Sequence, residues 1–416
     1  MNNNISVRLT LMCAAVAAMF AGAARADEDD AFSLVTAASW QYQDNVLYLP
    51  DGQRPSFFGP SAPRADSSYT ASLGLNFDKR IGRQQLSANY THVIARYDSL
   101  SLLDNDGHNA FASWKWQLGN DLSGQLRYTN RRYMQGFGDF RTITPAKNLV
   151  DVDTLRLDAA YLLDTYWTLF GSASQDSYRN NLLIRRGSDV DVERAEAGVR
   201  YTTRGGTAFE LLGRASEGDY PNRLPGLNQT NSYSQKDIEA RVRWQPVGHS
   251  RLSAAIGQSD RKHANVPERD YQDVYGRLGW EWQPTGQLMV KFQAERQISA
   301  LDDLVSSYFH TTTDTVAPTW QPTGKLRVDG RMQWISRDAT GNTFFTQLPP
   351  ALQVLLGINN AVARQEDLTT YSLGATWFIQ RNLSANAEVR HDERESNVQF
   401  YQYKVRSVSM SLQYLF

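Results

Sequence analysis

Arginines and carboxylates stand at every second position over long stretches of this chain, and that spacing is the first pointer to chemistry. Asp237, Glu239, Arg241 and Arg243 alternate with Ile238, Ala240, Val242 and Trp244. Asp273, Arg277 and Glu281 alternate with Val274, Leu278, Trp280 and Trp282, and Arg327, Asp329, Arg331 and Gln333 with Leu326, Val328, Met332 and Trp334. Side chains two apart share one face of a β-strand, so the charges gather on one surface and the apolar groups on the other. The charged surface must be wet. It either braces a wall through cross-strand ion pairs, each worth at most about 1 kcal/mol when exposed, or it sets a charge profile for a passing solute, as charged rings do in pores. The candidates for this lining are Arg127, Arg156, Arg200, Arg214, Glu239, Arg241, Arg243, Arg277, Glu281, Arg327, Asp329, Arg331, Glu388 and Arg390, with Asp158, Glu196, Glu210 and Glu295 as further acids. Tyr275, Tyr403, Gln125, Gln293 and Gln333 fall on the same face. Aromatic faces beside amides suit carbohydrate, whose C–H faces stack and whose hydroxyls hydrogen-bond.

Bond-making chemistry is harder to find. The six histidines, His92, His108, His249, His263, His310 and His391, sit in no catalytic motif, and the chain has no nucleophile elbow, zinc-protease helix, phosphate loop or dinucleotide fingerprint. His310 before three threonines and His391 before Asp392 come nearest to a constellation, and both read as rim or loop histidines. Carboxylate pairs for glycoside hydrolysis could be drawn from the wall, but their separation of about 5 to 9 Å is not written in a sequence. The only cysteine, Cys13, lies near the N-terminus within an apolar run, so no disulfide or thiolate metal site is expected. The reading is of a non-enzyme with no cofactor and no metal.

The elements that carry these residues are strands. Period-two alternation marks about eighteen segments of about 10 to 15 residues, a length that suits a tilted membrane strand. Tight links fall near 81–83, 119–121, 164–165, 204–206, 246–248, 284–286, 322–324 and 381–382, and long polar links near 49–66, 136–147, 180–189, 218–230, 261–269, 299–307 and 339–366. Short turns on one rim and long loops on the other are the pattern of an outer-membrane barrel. Trp-Gln-Pro-x-Gly recurs at Trp244, Trp282 and Trp320, one hairpin per repeat, where the Pro would preset the turn, the Gly close it and the Trp join an aromatic girdle. One long link is anomalous: Leu348 to Ile358 is apolar, and it either plugs the pore mouth or packs against other loops or a partner. The fold class is thus an all-β, transmembrane, antiparallel up-and-down barrel of about eighteen strands, with sixteen as the alternative.

The two ends agree with this. Arg8 precedes an apolar run from Leu9 to Ala24, and Ala24-Arg25-Ala26 offers a cleavage point, so 1–26 reads as a secretory signal and 27–416 as the barrel. Loss of that signal moves the formal charge from −1 to −3. Near-neutrality without a basic cluster argues against nucleic acid. At the other end Val408, Met410, Leu412, Tyr414 and Phe416 alternate with Ser407, Ser409, Ser411 and Gln413. Tyr414 and Phe416 resemble the C-terminal signal read by the barrel assembly machinery, and this strand would close the barrel against one near Phe32 to Gln43.

Several stretches resemble the EpsL-like outer-membrane proteins of exosortase-associated exopolysaccharide clusters. They are Asp29 to Phe32, Tyr42 to Gly52, Gly218 to Arg223, the Trp-Gln-Pro-Thr-Gly turns and Ser306-Ser307-Tyr308. The resemblance spans nearly the whole mature chain through short structural motifs. It implies an outer membrane of a Gram-negative bacterium, a polysaccharide as cargo and a periplasmic polysaccharide-export protein as partner. Three readings follow: an exopolysaccharide export channel, a general porin for small solutes, and a barrel enzyme acting on polysaccharide.

Overall fold

The computed structural model describes residues 31–55, 62–138, 146–223, 231–264, 270–299, 308–340 and 364–416, with the single positions 267 and 349. The signal segment 1–26 and, but for 349, the apolar stretch 348–358 lie outside the described residues.

The described chain is built from eighteen strands. They are β1 (Phe32–Gln43), β2 (Asp66–Ile81), β3 (Gln84–Tyr97), β4 (Asn105–Leu118), β5 (Leu122–Met134), β6 (Leu149–Leu162), β7 (Trp167–Asn180), β8 (Val190–Thr202) and β9 (Ala208–Asp219). The second half holds β10 (Ser232–Val247), β11 (Ser250–His263), β12 (Tyr271–Trp282), β13 (Leu288–Ser299), β14 (Tyr308–Thr323), β15 (Leu326–Thr340), β16 (Gln365–Gln380), β17 (Leu383–Ser396) and β18 (Tyr403–Leu415). Each strand pairs antiparallel with the next, and β1 pairs with both β2 and β18, so the sheet closes on itself. Closure leaves no edge with unpaired amides, the condition for strands to cross a membrane. The closing register runs from Val35 opposite Leu415 to Gln43 opposite Ser407.

Closure also turns the alternation into an outside and an inside. Leu73, Leu157, Leu211, Ile238, Ile256, Leu278, Leu373, Val389 and Met410 are exposed on one face, and these are the side chains that lipid covers. Trp167, Trp244, Trp282, Trp320 and Trp377 stand on that face beside the short turns, while Tyr90, Tyr128, Trp334 and Tyr371 stand further along the strands. Beyond this second aromatic row the outer face becomes charged, with Arg96 paired to Asp106, Arg179 to Asp191 and Lys404 to Glu393. The apolar belt therefore ends where hydrocarbon ends.

The eight tight links fall where the sequence puts them, but their chemistry differs. Gly82, Gly119 and Gly206 adopt φ of 58°, 63° and 80°, a backbone that only glycine takes without strain. The glycines of the Trp-Gln-Pro-x-Gly repeats do not have positive φ. Their prolines are not turn-setters in two of three cases: Pro246 and Pro322 lie inside β10 and β14, at register slips between Trp244 and Val247 and between Trp320 and Thr323. In two of the three repeats the residue at x, a threonine, forms the turn. Thr323 Oγ1 accepts from the amides of Lys325 and Leu326 at 3.2 and 3.1 Å, and Thr285 Oγ1 accepts from Gln287 and Leu288 at 3.3 and 3.0 Å. On the opposite rim two connections, 98–104 and 397–402, are shorter than the long-loop pattern predicts and each contains one 3-10 turn.

Candidate functional site

A cavity of about 760 Å³ fixes which face is the lumen. Its lining comes from β5, β7, β8, β10, β11 and β15 to β18, strands on opposite sides of the closed sheet. Tyr133, Tyr178, Arg194, Arg261, Gln333, Arg337, Asp392 and Tyr403 all enter it, so the residues in phase with them on each strand point inward. By this phase the fourteen candidates, Arg127, Arg156, Arg200, Arg214, Glu239, Arg241, Arg243, Arg277, Glu281, Arg327, Asp329, Arg331, Glu388 and Arg390, lie on the inner face.

They are not equivalent there. Six of them, Arg200, Arg214, Glu239, Arg241, Arg243 and Arg277, are linked on one wall, β8 to β10 and β12. Glu210 takes Arg200 at 2.7 Å and also Arg243, Glu196 takes Arg214 at 2.8 Å, and Glu239 takes Arg241 as well as Arg277 at 2.9 Å. Tyr275 donates its hydroxyl to Glu239 at 2.8 Å. The intervening strand explains the reach from β12 back to β10. Its inward positions are small, Ser253, Ala255, Gly257 and Ser259, and Tyr275 lies over Gly257 so closely that a Cβ there would meet its ring and hydroxyl at 2.5 and 2.6 Å.

Elsewhere the pairing is local. Arg156 binds Asp158 and Arg390 binds Asp392 at 2.7 Å, Arg327 binds Asp329 at 2.8 Å, and Glu281 takes Arg251 and Lys291 at 3.1 and 3.4 Å. Arg127 donates only to Gln125 among the described residues, and Arg331 and Glu388 have no ion-pair partner among them.

The burial of these groups is lopsided. The Glu239 side chain is 2% exposed against 49% for Arg277, and Glu210 is 5% exposed against 54% for Arg243. Carboxylates lie at the bottom of the wall and guanidinium groups at its surface, so a solute in the lumen meets arginine first.

Above this wall the cavity is a chamber with a roof. Tyr48, Tyr133, Tyr178, Tyr220, Tyr233 and Tyr403 line it, with Gln135, Asn180 and Gln333 among them. The roof is made by 44–55 and 135–138, which overlap the long links read at 49–66 and 136–147. Val46, Leu47, Leu100, Leu103 and Phe137 form a buried apolar cluster at the mouth, packed against Tyr97 and Met134. Asp66 accepts the amides of Ser99 and Leu100 at 3.0 and 2.8 Å, and Asn45 donates to the carbonyls of Leu49 and Lys404.

Across the mouth, the fully buried Arg394 of β17 donates to the Gly138 carbonyl, to Tyr401 at 2.9 Å and to Glu366 at 3.4 Å. Tyr48, held at φ 55°, sets its ring edge-on to Tyr403 at 4.9 Å. The expected plug at 348–358 lies, but for 349, outside the described residues, and the loops described at the mouth are others.

The histidines are dispersed. His92 and His108 oppose each other on the outer face, where His108 contacts Asn130. His310 Nδ1 lies 3.1 Å from Asp273, where pairing of β12 with β13 has ended at Gly276, and His263 and His391 lie 3.5 and 3.6 Å from Asp270 and Glu393. No group of three or more metal-ligating side chains occurs among the described residues.

Among solved structures the chain is similar to OccK2 (OpdF) of Pseudomonas aeruginosa, with a TM-score of 0.50 at 11% identity over 93% of this chain and 98% of that one. It is also similar to the FrpB iron transporter of Neisseria meningitidis, with a TM-score of 0.49 at 10% identity over 93% and 81%, and to OccAB3 of Acinetobacter baumannii, with 0.47 at 10% over 92% and 99%. At such identities the likeness is one of fold. No family model matches the chain and no curated protein matches it.

Proposed function

We propose that this barrel conducts an exopolysaccharide across the outer membrane of a Gram-negative bacterium, as an EpsL-like component of its export pathway. The observation that carries the reading is the roofed chamber, where six tyrosines stand among amides and arginines on facing walls of the lumen. Tyrosine faces stack on sugar rings and tolerate sliding, because each ring offers a similar C–H surface; amides and guanidinium groups exchange hydrogen bonds with successive hydroxyls. Transit of this kind needs no bond chemistry and an aqueous lumen of the porin size class, which eighteen strands supply. The short-turn rim would face the periplasm and receive the chain from a periplasmic polysaccharide-export protein, after signal removal and insertion by the barrel assembly machinery.

A second reading, a porin for small solutes, is favoured by one observation. The apolar cluster at the mouth ties the connections there to one another, and a small solute needs no movement of them to pass. Deletion of the gene separates the two. Under the export reading surface polymer disappears while polymer accumulates inside the cell; normal surface polymer in the deletion strain overturns it.

A further inference from the structure

We infer that the chamber beneath the mouth binds a negatively charged glycan segment, of the kind that carries carboxylates on successive sugars. This rests on the export reading for the length of the cargo, and on the chamber itself for its charge. The lining holds five arginines, Arg185, Arg194, Arg261, Arg337 and Arg390, and one carboxylate, Asp392. Arg194 and Arg390 are ion-paired at 2.7 Å, with Asp176 and Asp392, and Arg337 stands 3.9 Å from Glu366. Arg261 has no carboxylate partner among the described residues. Its guanidinium lies over the Tyr233 ring at 3.8 Å and donates from Nε to the Gln235 amide oxygen at 2.8 Å.

A planar cation stacked on an aromatic ring and held by a neutral acceptor keeps charge to offer. A carboxylate is the group that its fork of donors fits best. Tyr233 and Arg261 then act together: the sugar ring packs beside the phenol and its carboxylate meets the guanidinium. Below the chamber the path continues over the wall where arginines cover sunken carboxylates, so exposed cationic groups attract an acidic chain along its course and repel a cationic one.

The test uses the full-length barrel, purified in detergent for calorimetry and reconstituted in planar bilayers. The probes are oligogalacturonate and a maltodextrin of equal length. The acidic oligomer should bind at about tenfold lower concentration than the neutral one and lose that advantage as salt is raised, because charge contributes the difference. Arg261→Gln should abolish most of the preference, weakening oligogalacturonate binding far more than maltodextrin binding, and Arg261→Lys should restore part of it. Unchanged mobility of the unboiled barrel on a denaturing gel verifies that each variant has folded. Equal binding of the two oligomers, or an acidic preference untouched by Arg261→Gln, overturns the assignment.

The two readings fail separately. Loss of surface polymer on gene deletion with equal oligomer binding retains export and removes the acidic cargo. Acidic preference with normal surface polymer retains the site and removes export.

Discussion

Glu239 shows how much a single position in this wall depends on its neighbours. Its carboxylate is almost wholly enclosed and is neutralised by Arg241 and Arg277, with the Tyr275 hydroxyl as a third donor. Tyr275→Phe removes that donor and leaves the ring in place. It should destabilise the barrel by about 1.5–3 kcal/mol, the worth of a hydrogen bond to a buried charged group, read as a lower guanidinium midpoint for unfolding from detergent. Gly257→Val should act on the same carboxylate from the other side. The added side chain would occupy the space where the Tyr275 ring lies, so the ring must move and its bond to Glu239 must break. A destabilisation of about 1–3 kcal/mol, as for overpacking, is expected, and it should not add fully to Tyr275→Phe, because both act on one contact.

Among the elements, the hairpin turns and the roof make opposite predictions. Thr323→Val removes the acceptor for two backbone amides at the β14–β15 turn and should cost about 0.5–1.5 kcal/mol, with single-channel conductance unchanged, since the turn lies away from the chamber. Arg394→Ala touches the roof. It removes the buried guanidinium that ties Gly138 to Tyr401 and Glu366, so the connection 135–138 loses its hold on β17. Mean conductance should rise by about twofold or more if this contact narrows the mouth, as constrictions set by side chains do. An unchanged conductance would show that the apolar cluster of Val46, Leu47 and Phe137 holds the roof by itself.

These elements were unequally legible. The short turns stood out because Gly, Pro, Asn and Asp interrupt an otherwise regular alternation. The turn-forming role of Thr285 and Thr323 did not, because it depends on a hydroxyl reaching amides two and three residues on. The long links that form the roof were legible, but the contact that ties them was not, because Arg394 and Gly138 lie 256 positions apart and nothing local marks them as partners.

For the whole molecule, the register across β1 and β18 decides whether the lumen exists. Trp40 opposite Met410 and Tyr42 opposite Val408 continue the apolar face through the seam, while Ser39 and Gln41 continue the polar face against Ser411 and Ser409. A charge placed on the outer face of this seam should therefore be costly. Met410→Arg is expected to destabilise by about 2–4 kcal/mol, the cost of arginine near the middle of the lipid belt. Ser409→Arg, one position away on the lumen face, should cost little. Comparing the folded fractions of the two in lipid vesicles checks this, and equal losses would contradict the assignment of faces.

The sequence by itself determined the strands, the eight tight turns and the face on which each charged residue lies, because a pleated strand alternates its side chains whatever it packs against. It determined also that the two faces differ, one fit for lipid and one for water. Only the tertiary structure decided which groups meet. Closure brought β5, β7, β8, β10, β11 and β15 to β18 around one chamber, the small side chains of β11 let Tyr275 and Arg277 reach Glu239 from two strands away, and loops distant in sequence built the roof. The physical reason is that alternation is a property of neighbours along the chain, whereas a lumen is a property of closure: who stands opposite whom across it depends on strand number, stagger and loop packing, none of which a local pattern records.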